Sequence, residues 1–251
     1  MKSKSLNDLY DYVPLKIYQD DNFFKFSLDS VLLAEYVKNP HQKKSILELC
    51  AGNCAVSMIL TTKTSSPIVA VEIQDEIYEL GKESIIYNNL ENQINLVKSD
   101  VKDTKNYFPG NNFDVIVCNP PYFEKADSSY VNDDKIKAHA RHEILISLQE
   151  IIEISSKMLN LNGELYIVHR AERIDEIIYY CHLYNVNVKN IQFISTKTGK
   201  EPRLVLIRAV RGSNKSVKIA PELCIEKLKT FKNIFWKEWY LESHSRIRKS
   251  W

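Results

Sequence analysis

Ser45-Ile46-Leu47-Glu48-Leu49-Cys50-Ala51-Gly52-Asn53-Cys54-Ala55 is the stretch on which the fold turns. A short apolar run, a turn with one glycine and then the apolar-periodic Val56 to Thr62 read as a buried strand entering a helix. The alternation repeats downstream. Ile68 to Ile73 is a second strand and Glu76 to Tyr87 its crossover helix. Ile94 to Lys98 is a third strand, ending at Ser99-Asp100, and Phe113 to Cys118 a fourth, ending at Asn119-Pro120-Pro121-Tyr122. Strands alternating with helices in this way predict an α/β fold with a largely parallel sheet and helices on both faces.

Further along, Ile144 to Met158 has helical spacing, and Asn162-Gly163 turns into a strand over Glu164 to Val168. A helix from about Arg173 to Leu183 leads to strands at Val186 to Ser195 and Arg203 to Val210, seven in all. Thr196 to Pro202 is too short for a helical crossover, so the last strand is expected to run antiparallel to its neighbour. Upstream, Ile17 to Asp20 and Asn22 to Phe26 are expected to pair as a small hairpin, followed by a helix beginning near Asp29. The whole reads as one domain over 1–251. It divides into a hairpin and helix over 1–44, a core over 45–211 and a basic aromatic tail over 212–251.

With 44% hydrophobic and 26% charged residues, the chain has the composition of an ordinary globular protein. A formal net charge of +2 is almost neutral, so binding to nucleic acid would have to come from local basic patches. The tail is one such patch, with Lys227, Lys229, Lys232, Lys237, Arg246, Arg248 and Lys249 interleaved with Phe231, Phe235, Trp236, Trp239 and Tyr240. Cations and rings together suit a single-stranded nucleic acid; a terminal amphipathic helix docking its aromatics on the core is the alternative. No apolar run has the length of a membrane span and the start lacks an apolar signal core, so a cytoplasmic protein is expected. The five cysteines are odd in number and scattered; free thiols and no metal site are expected.

Ligands of open parallel sheets bind at the carboxyl ends of the strands, around the point where strand order reverses. Here the first strand ends at Gly52, which lets the backbone come close to a ligand. The second ends at Glu72, about 20 residues on, where a carboxylate can accept two hydrogen bonds from a vicinal diol. At the end of the third, Asp100 can accept from an exocyclic amine and Val101 can pack on a ring. The fourth ends at Asn119 to Tyr122, whose two prolines stiffen the turn. That turn can present a side-chain amide, a backbone carbonyl and an aromatic face to one planar amine. Ordinary strand-to-helix turns and solvated strand ends are the plainer readings of each feature alone.

Taken together, these positions resemble the class I S-adenosylmethionine-dependent methyltransferases over roughly Phe26 to Val210. The resemblance implies a Rossmann-like seven-stranded sheet and S-adenosylmethionine as cofactor. In that family the loop Glu48, Cys50, Ala51, Gly52, Asn53 holds the methionine part, Glu72 with Ile73 the ribose, and Asp100 with Val101 the adenine. Cys50 and Cys54 depart from the family's glycine pattern. Phe26 to Ala34, with Phe26 and Asp29, looks like the upstream motif that borders the methionine end.

Asn119-Pro120-Pro121-Tyr122 matches the amino-methyltransferases, which makes Asn119, Pro120 and Tyr122 the catalytic set and Asn119 also a cofactor contact. An exocyclic amine is a poor nucleophile because its lone pair is delocalised into the ring. If the Asn119 side-chain oxygen and the Pro120 carbonyl accept its two hydrogens, the nitrogen becomes pyramidal and its lone pair is freed. Pro121, Tyr122, Phe123, Arg141 and His142 are then the substrate contacts, with His139 beside them; a solvated loop ahead of a capped helix is the alternative for His139, Arg141 and His142. Among these enzymes the chain is most similar to the bacterial family that methylates N6 of adenine-37 in valine tRNA, which implies tRNA as partner, acting as a monomer. A protein-glutamine N5 methyltransferase acting on release factors, or an inactive RNA-binding protein, would share parts of this pattern.

Overall fold

The computed structural model describes residues 4–10, 13–23, 26–108, 113–121, 146–214 and 216–230. It begins with strands β1 (Lys4–Tyr10) and β2 (Val13–Asp20) and helix α1 (Leu28–Tyr36). Strand and helix then alternate through β3 (Ile46–Leu49), α2 (Ala55–Thr61), β4 (Ile68–Glu72), α3 (Asp75–Tyr87) and β5 (Ile94–Lys98). A single turn of helix, α4 (Thr104–Tyr107), precedes β6 (Phe113–Cys118). After it come α5 (Leu148–Met158), β7 (Leu159–Arg170), α6 (Ile174–Leu183), β8 (Val186–Ser195) and β9 (Leu204–Arg211). The last described elements are β10 (Lys218–Ile219), β11 (Leu223–Cys224) and α7 (Ile225–Thr230).

The large sheet has the order β10-β8-β9-β7-β6-β3-β4-β5, with β11 also on β8. β3 is the hinge of the topology: β4 and β5 extend from one side of it, β6 and β7 from the other, all parallel. The crevice where strand order reverses therefore lies between the carboxyl ends of β3 and β6. β9 runs antiparallel to both β7 and β8, as the short Thr196–Pro202 connection requires. The two-residue strands β10 and β11 add to the seven expected strands and are too short to leave a pattern in the sequence.

Alternation along each strand feeds two cores. Ile46, Ala70, Val115, Val117 and Val168 face one layer with Val31, Leu33, Met58 and Ile59 of α1 and α2. Leu47, Leu49, Val71, Ile116 and Ile167 face the other with Ile151 and Ile152 of α5 and Ile177 of α6. Ile46, Leu47 and Leu49 are fully buried, each worth about 1.5–3 kcal/mol relative to exposure. The α5 amino terminus is closed by a capping box, in which the Ser147 hydroxyl accepts from the Glu150 amide and the Glu150 carboxylate accepts from the Ser147 amide.

Two local expectations are corrected. The hairpin is β1 with β2, so Ile17 to Asp20 pair with Lys4 to Asn7, in register Leu6 to Tyr18 and Asn7 to Ile17, and the expected partner Asn22 to Phe26 lies in part outside the described residues. Leu9, Ile17 and Gln19 supply its buried face, whereas Lys4, Ser5 and Asp8 are exposed, and that polar character hid β1 in the sequence. Its outer edge is tied to α3: the Tyr18 amide donates to Ser84 Oγ (2.9 Å), the Lys16 amide to Asn88 Oδ1 (2.9 Å), and Asn88 Nδ2 returns a bond to the Lys16 carbonyl (2.7 Å). The second correction concerns β7, which starts at Leu159 rather than after Gly163. Its first residues pair with β6 ahead of a register shift, so Phe113 faces Leu159 and Val115 faces Glu164. Asn162 takes φ 63° there, and a Cβ on Gly163 would come within 2.8 Å of the Asn160 carbonyl oxygen, which is why the kink needs glycine. The tail beyond Thr230 lies outside the described residues.

Candidate active site

The loop after β3 is built from three left-handed residues in alternation: Cys50 (φ 55°), Gly52 (φ 57°) and Cys54 (φ 67°). Non-glycine residues in this region cost roughly 1–2 kcal/mol each, so the glycine-like turn persists although two positions carry cysteine. Packing holds it there. The Ala51 amide donates to the Val71 carbonyl (2.9 Å), and the Cys54 amide to the Ala51 carbonyl (2.9 Å). Cys54 is fully buried, and its sulfur fills the space against Gly81 of α3, where a Cβ would sit 3.2 Å from Sγ. Around Gly52, by contrast, an added Cβ would meet nothing within 4 Å, so this backbone faces open space.

Glu72 closes the loop onto the end of β4. Its Oε2 accepts from the Gly52 amide (2.8 Å), and its Oε1 from the amides of Ile73 (3.0 Å) and Gln74 (2.9 Å). Backbone amides thus take three of about four acceptor positions on the carboxylate, and the Gln74 side chain bonds it as well, so the protein itself holds Glu72 more fully than the sequence suggested. Burial raises the Glu72 pKa, and the backbone bonds oppose that rise. Ile73 is half-buried beside it.

Glu48 is turned away from the open side. Its Oε2 accepts from the Ser57 amide (2.9 Å) and the Ser57 hydroxyl, it is 2% exposed, and burial pushes its pKa up to about 8. Position 48 shares its face with Ile46, so its side chain must enter the layer of α2, and its role is to fix α2 beneath the loop. Asn53 is likewise buried; its Nδ2 donates to the Tyr18 carbonyl (3.3 Å) and fastens the loop to β2. Asp100 is half-buried and caps the next turn by accepting from the Lys102 amide (2.9 Å). Val101 is 5% exposed within the second core layer, so its side chain serves as the floor of this turn.

Asn119 follows β6 directly. Its Nδ2 donates to the hydroxyl of Ser30 in α1 (3.1 Å), and Ser30 is 6% exposed. Pro120 is buried and Pro121 half-buried, which anchors the turn. Cys50 and Cys118, at the ends of adjacent strands, place their thiols against each other, and burial drives the Cys118 thiol well above the usual range. Phe26 packs at the margin of the first core layer, and Asp29 sits in the first turn of α1. Tyr122, Phe123, His139, Arg141 and His142 lie outside the described residues.

Residues 23–192 match the model of the methyltransferase small domain, more than half of the chain. The chain belongs to the methyltransferase small-domain family. It is an enzyme, and membership makes S-adenosylmethionine the cofactor of this methyltransferase. Curated relatives agree in kind. Proteins from Shewanella woodyi (26% identity over 80% of this chain and 84% of theirs) and Flavobacterium psychrophilum (22%, 92% and 95%) are both named tRNA1(Val) (adenine(37)-N6)-methyltransferase. A protein of Bacteroides thetaiotaomicron with the same name is 27% identical over 80% of this chain and 83% of its own length. The fold matches a predicted O-methyltransferase from Agrobacterium tumefaciens (TM-score 0.61, 20% identity, 78% and 86% coverage) and a methyltransferase from Pyrococcus furiosus (0.58, 17%, 81% and 92%).

The small-domain methyltransferase thus carries a left-handed loop open above Gly52, a buried carboxylate tied to that loop and, across the β3–β6 crevice, the Asn119 amide against Ser30. These fit a cofactor that has hydroxyl groups and no phosphate. Ser30, Ser57 and Gly81 complete the arrangement; Ser30 lies in the Phe26 to Ala34 motif without a role of its own there, and Ser57 and Gly81 were not singled out in the sequence. Among the described residues no helix is long and apolar enough to cross a membrane, and no cluster of His, Cys, Asp and Glu is placed to hold a metal.

Proposed function

We propose that this methyltransferase acts on the exocyclic N6 amine of an adenosine in tRNA, at position 37 of the valine tRNA anticodon loop. The observation that carries the reading is the place of Asn119 and Pro120 directly after β6, at the point where strand order reverses, with the Asn119 nitrogen donating to Ser30. The names of the curated relatives support the substrate. The bound cofactor supplies an electrophilic methyl group on a sulfonium. Gly52 and Glu72 hold it, Glu72 through a ribose hydroxyl, and Asp100 reads its adenine. Asn119 Oδ1 and the Pro120 carbonyl accept the two hydrogens of the target amine, pyramidalise it and hold its lone pair in line. Tyr122 stacks on the base, a contact worth ~1–3 kcal/mol. A stacked base has to be turned out to reach this turn. No strong general base is needed, because the amine proton becomes acidic only as the N–C bond forms, so positioning is the main contribution.

Incubation of the purified protein with methyl-labelled S-adenosylmethionine and unmodified tRNA should yield N6-methyladenosine by nucleoside mass spectrometry. Label on a glutamine of a release factor, or on no tRNA at all, would overturn the reading. Asn119→Ala should abolish turnover and leave binding of S-adenosylhomocysteine intact.

A further inference from the structure

The carboxyl ends of β7 and β8 open on a cavity of about 1470 Å³. Gly52, Glu72, Asp100 and Asn119 do not line it; it lies on the other side of the first turn of α1. That turn joins the two places. Asp29 and Leu32 face the cavity, while Ser30 between them bonds Asn119. The volume exceeds the roughly 300–1,000 Å³ of small-molecule pockets, so a polymer is the better fit.

Its outer wall is the loop between β8 and β9, with Lys197, Lys200 and Arg203 at a spacing of three. The loop is pinned at both turns: the Lys200 amide donates to the Lys197 carbonyl (3.2 Å) and the Arg203 amide to the Ile194 carbonyl (2.9 Å). All three cations are exposed, and none joins an ion pair among the described residues. Arg170 at the end of β7 also lines the cavity and faces Glu172 at 3.4 Å. Among the described residues Asp29 and Glu201 are the other acids on the lining, and on the outer loop Glu201 stands against three cations, so the charge of that loop is positive. Half-buried Phe193 of β8 adds a ring to the wall.

We infer that this cavity receives the RNA strand beside the target nucleotide, its phosphates on Lys197, Lys200 and Arg203 and a base against Phe193. The inference rests on the RNA substrate proposed above. Exposed cations that follow a backbone, with an aromatic for stacking, are the elements of single-strand binding. They also give an almost neutral chain a local site for a polyanion.

The test uses the full chain carrying Lys197→Ala, Lys200→Ala and Arg203→Ala together, with binding of unmodified tRNA measured across a salt series. Each lost phosphate contact to a single strand removes roughly 0.7 from the slope of log K against log salt, so the slope should flatten by about 2. The KM for tRNA should rise roughly tenfold or more, while calorimetric binding of S-adenosylhomocysteine stays at the wild-type value. Phe193→Leu, which keeps the wall apolar, should weaken tRNA binding without changing the slope. A triple variant with the wild-type slope and KM overturns the inference, whatever the wild type methylates. Wild-type protein that binds tRNA with this loop but methylates none would leave the cavity assignment standing and sink the proposed reaction. Wild-type protein that does not bind tRNA sinks both.

Discussion

At the scale of single residues, the telling contact is the Ser30 hydroxyl, which lies inside the upstream motif but was given no role there. The Asn119 Nδ2 donates to the Ser30 hydroxyl at 3.1 Å, and this bond ties the amide to α1. Ser30→Ala deletes the partner without unpacking α1, since Val31, Leu32 and Leu33 remain buried beside it. kcat should fall roughly tenfold to a hundredfold, as expected for a misoriented reacting group, while binding of S-adenosylhomocysteine is unchanged. Comparing kcat, KM and calorimetric affinity in the two proteins decides it; an unchanged kcat would show that the amide is held by something else. Asn119 was legible in the sequence because it ends a strand. Ser30 was not, because a contact across 89 positions leaves no trace in spacing.

At the scale of elements, the loop after β3 shows how one backbone shape is reached with unfavourable residues. Cys50 and Cys54 share the left-handed conformation but differ in burial: Cys50 is half-buried, whereas Cys54 is fully enclosed against Gly81. Cys50→Gly should therefore relieve strain and raise stability by about 1 kcal/mol. Cys54→Gly relieves the same strain but empties a packed site, and should lower stability by roughly 1–2 kcal/mol. At about 2–4 °C per kcal/mol the two variants should move Tm in opposite directions, which differential scanning calorimetry reads directly. The hairpin supports the same loop from outside through the Asn53 to Tyr18 bond. Asn88→Ala removes three side-chain bonds, two of them to β2, and should raise hydrogen exchange in β2 and then in residues 51–54 while β6 and β7 stay protected. Uniform exchange would mean the hairpin is not a separate unit. The hairpin was misplaced in the sequence reading for the reason that makes it peripheral: β1 buries little, so it carries no strong alternation.

At the scale of the whole molecule, the parallel strands were legible because strands buried on both faces are continuous apolar runs punctuated by helices, whereas the strand order and its reversal at β3 came only with the structure. Such runs tell nothing about a polar residue that the alternation forces inward. Glu48 is that residue, and it couples the stability of the entire fold to pH. Its ordinary value is 4.5 and burial raises it to about 8, so at neutral pH the folded protein holds a proton that the unfolded chain releases. Folding takes up a proton in this window. The contribution of Glu48 is therefore complete below about pH 4.5, declines as pH rises and is lost above about 8. Glu72 shifts in the same direction, whereas Glu164, paired with Arg208, and Asp114, held by the Lys44 amide and Asn160, shift in the opposite one. Only a difference between two proteins isolates the Glu48 proton. Glu48→Gln is neutral at every pH and keeps an acceptor for Ser57. Between pH 5.5 and 7.5 the wild type should lose stability relative to Glu48→Gln at about 1.4 kcal/mol per pH unit, measured by urea unfolding at a series of pH values. Parallel profiles would show that Glu48 is ionised in the fold, in which case it could not lie as deeply buried beneath the loop after β3 as its contacts with Ser57 place it.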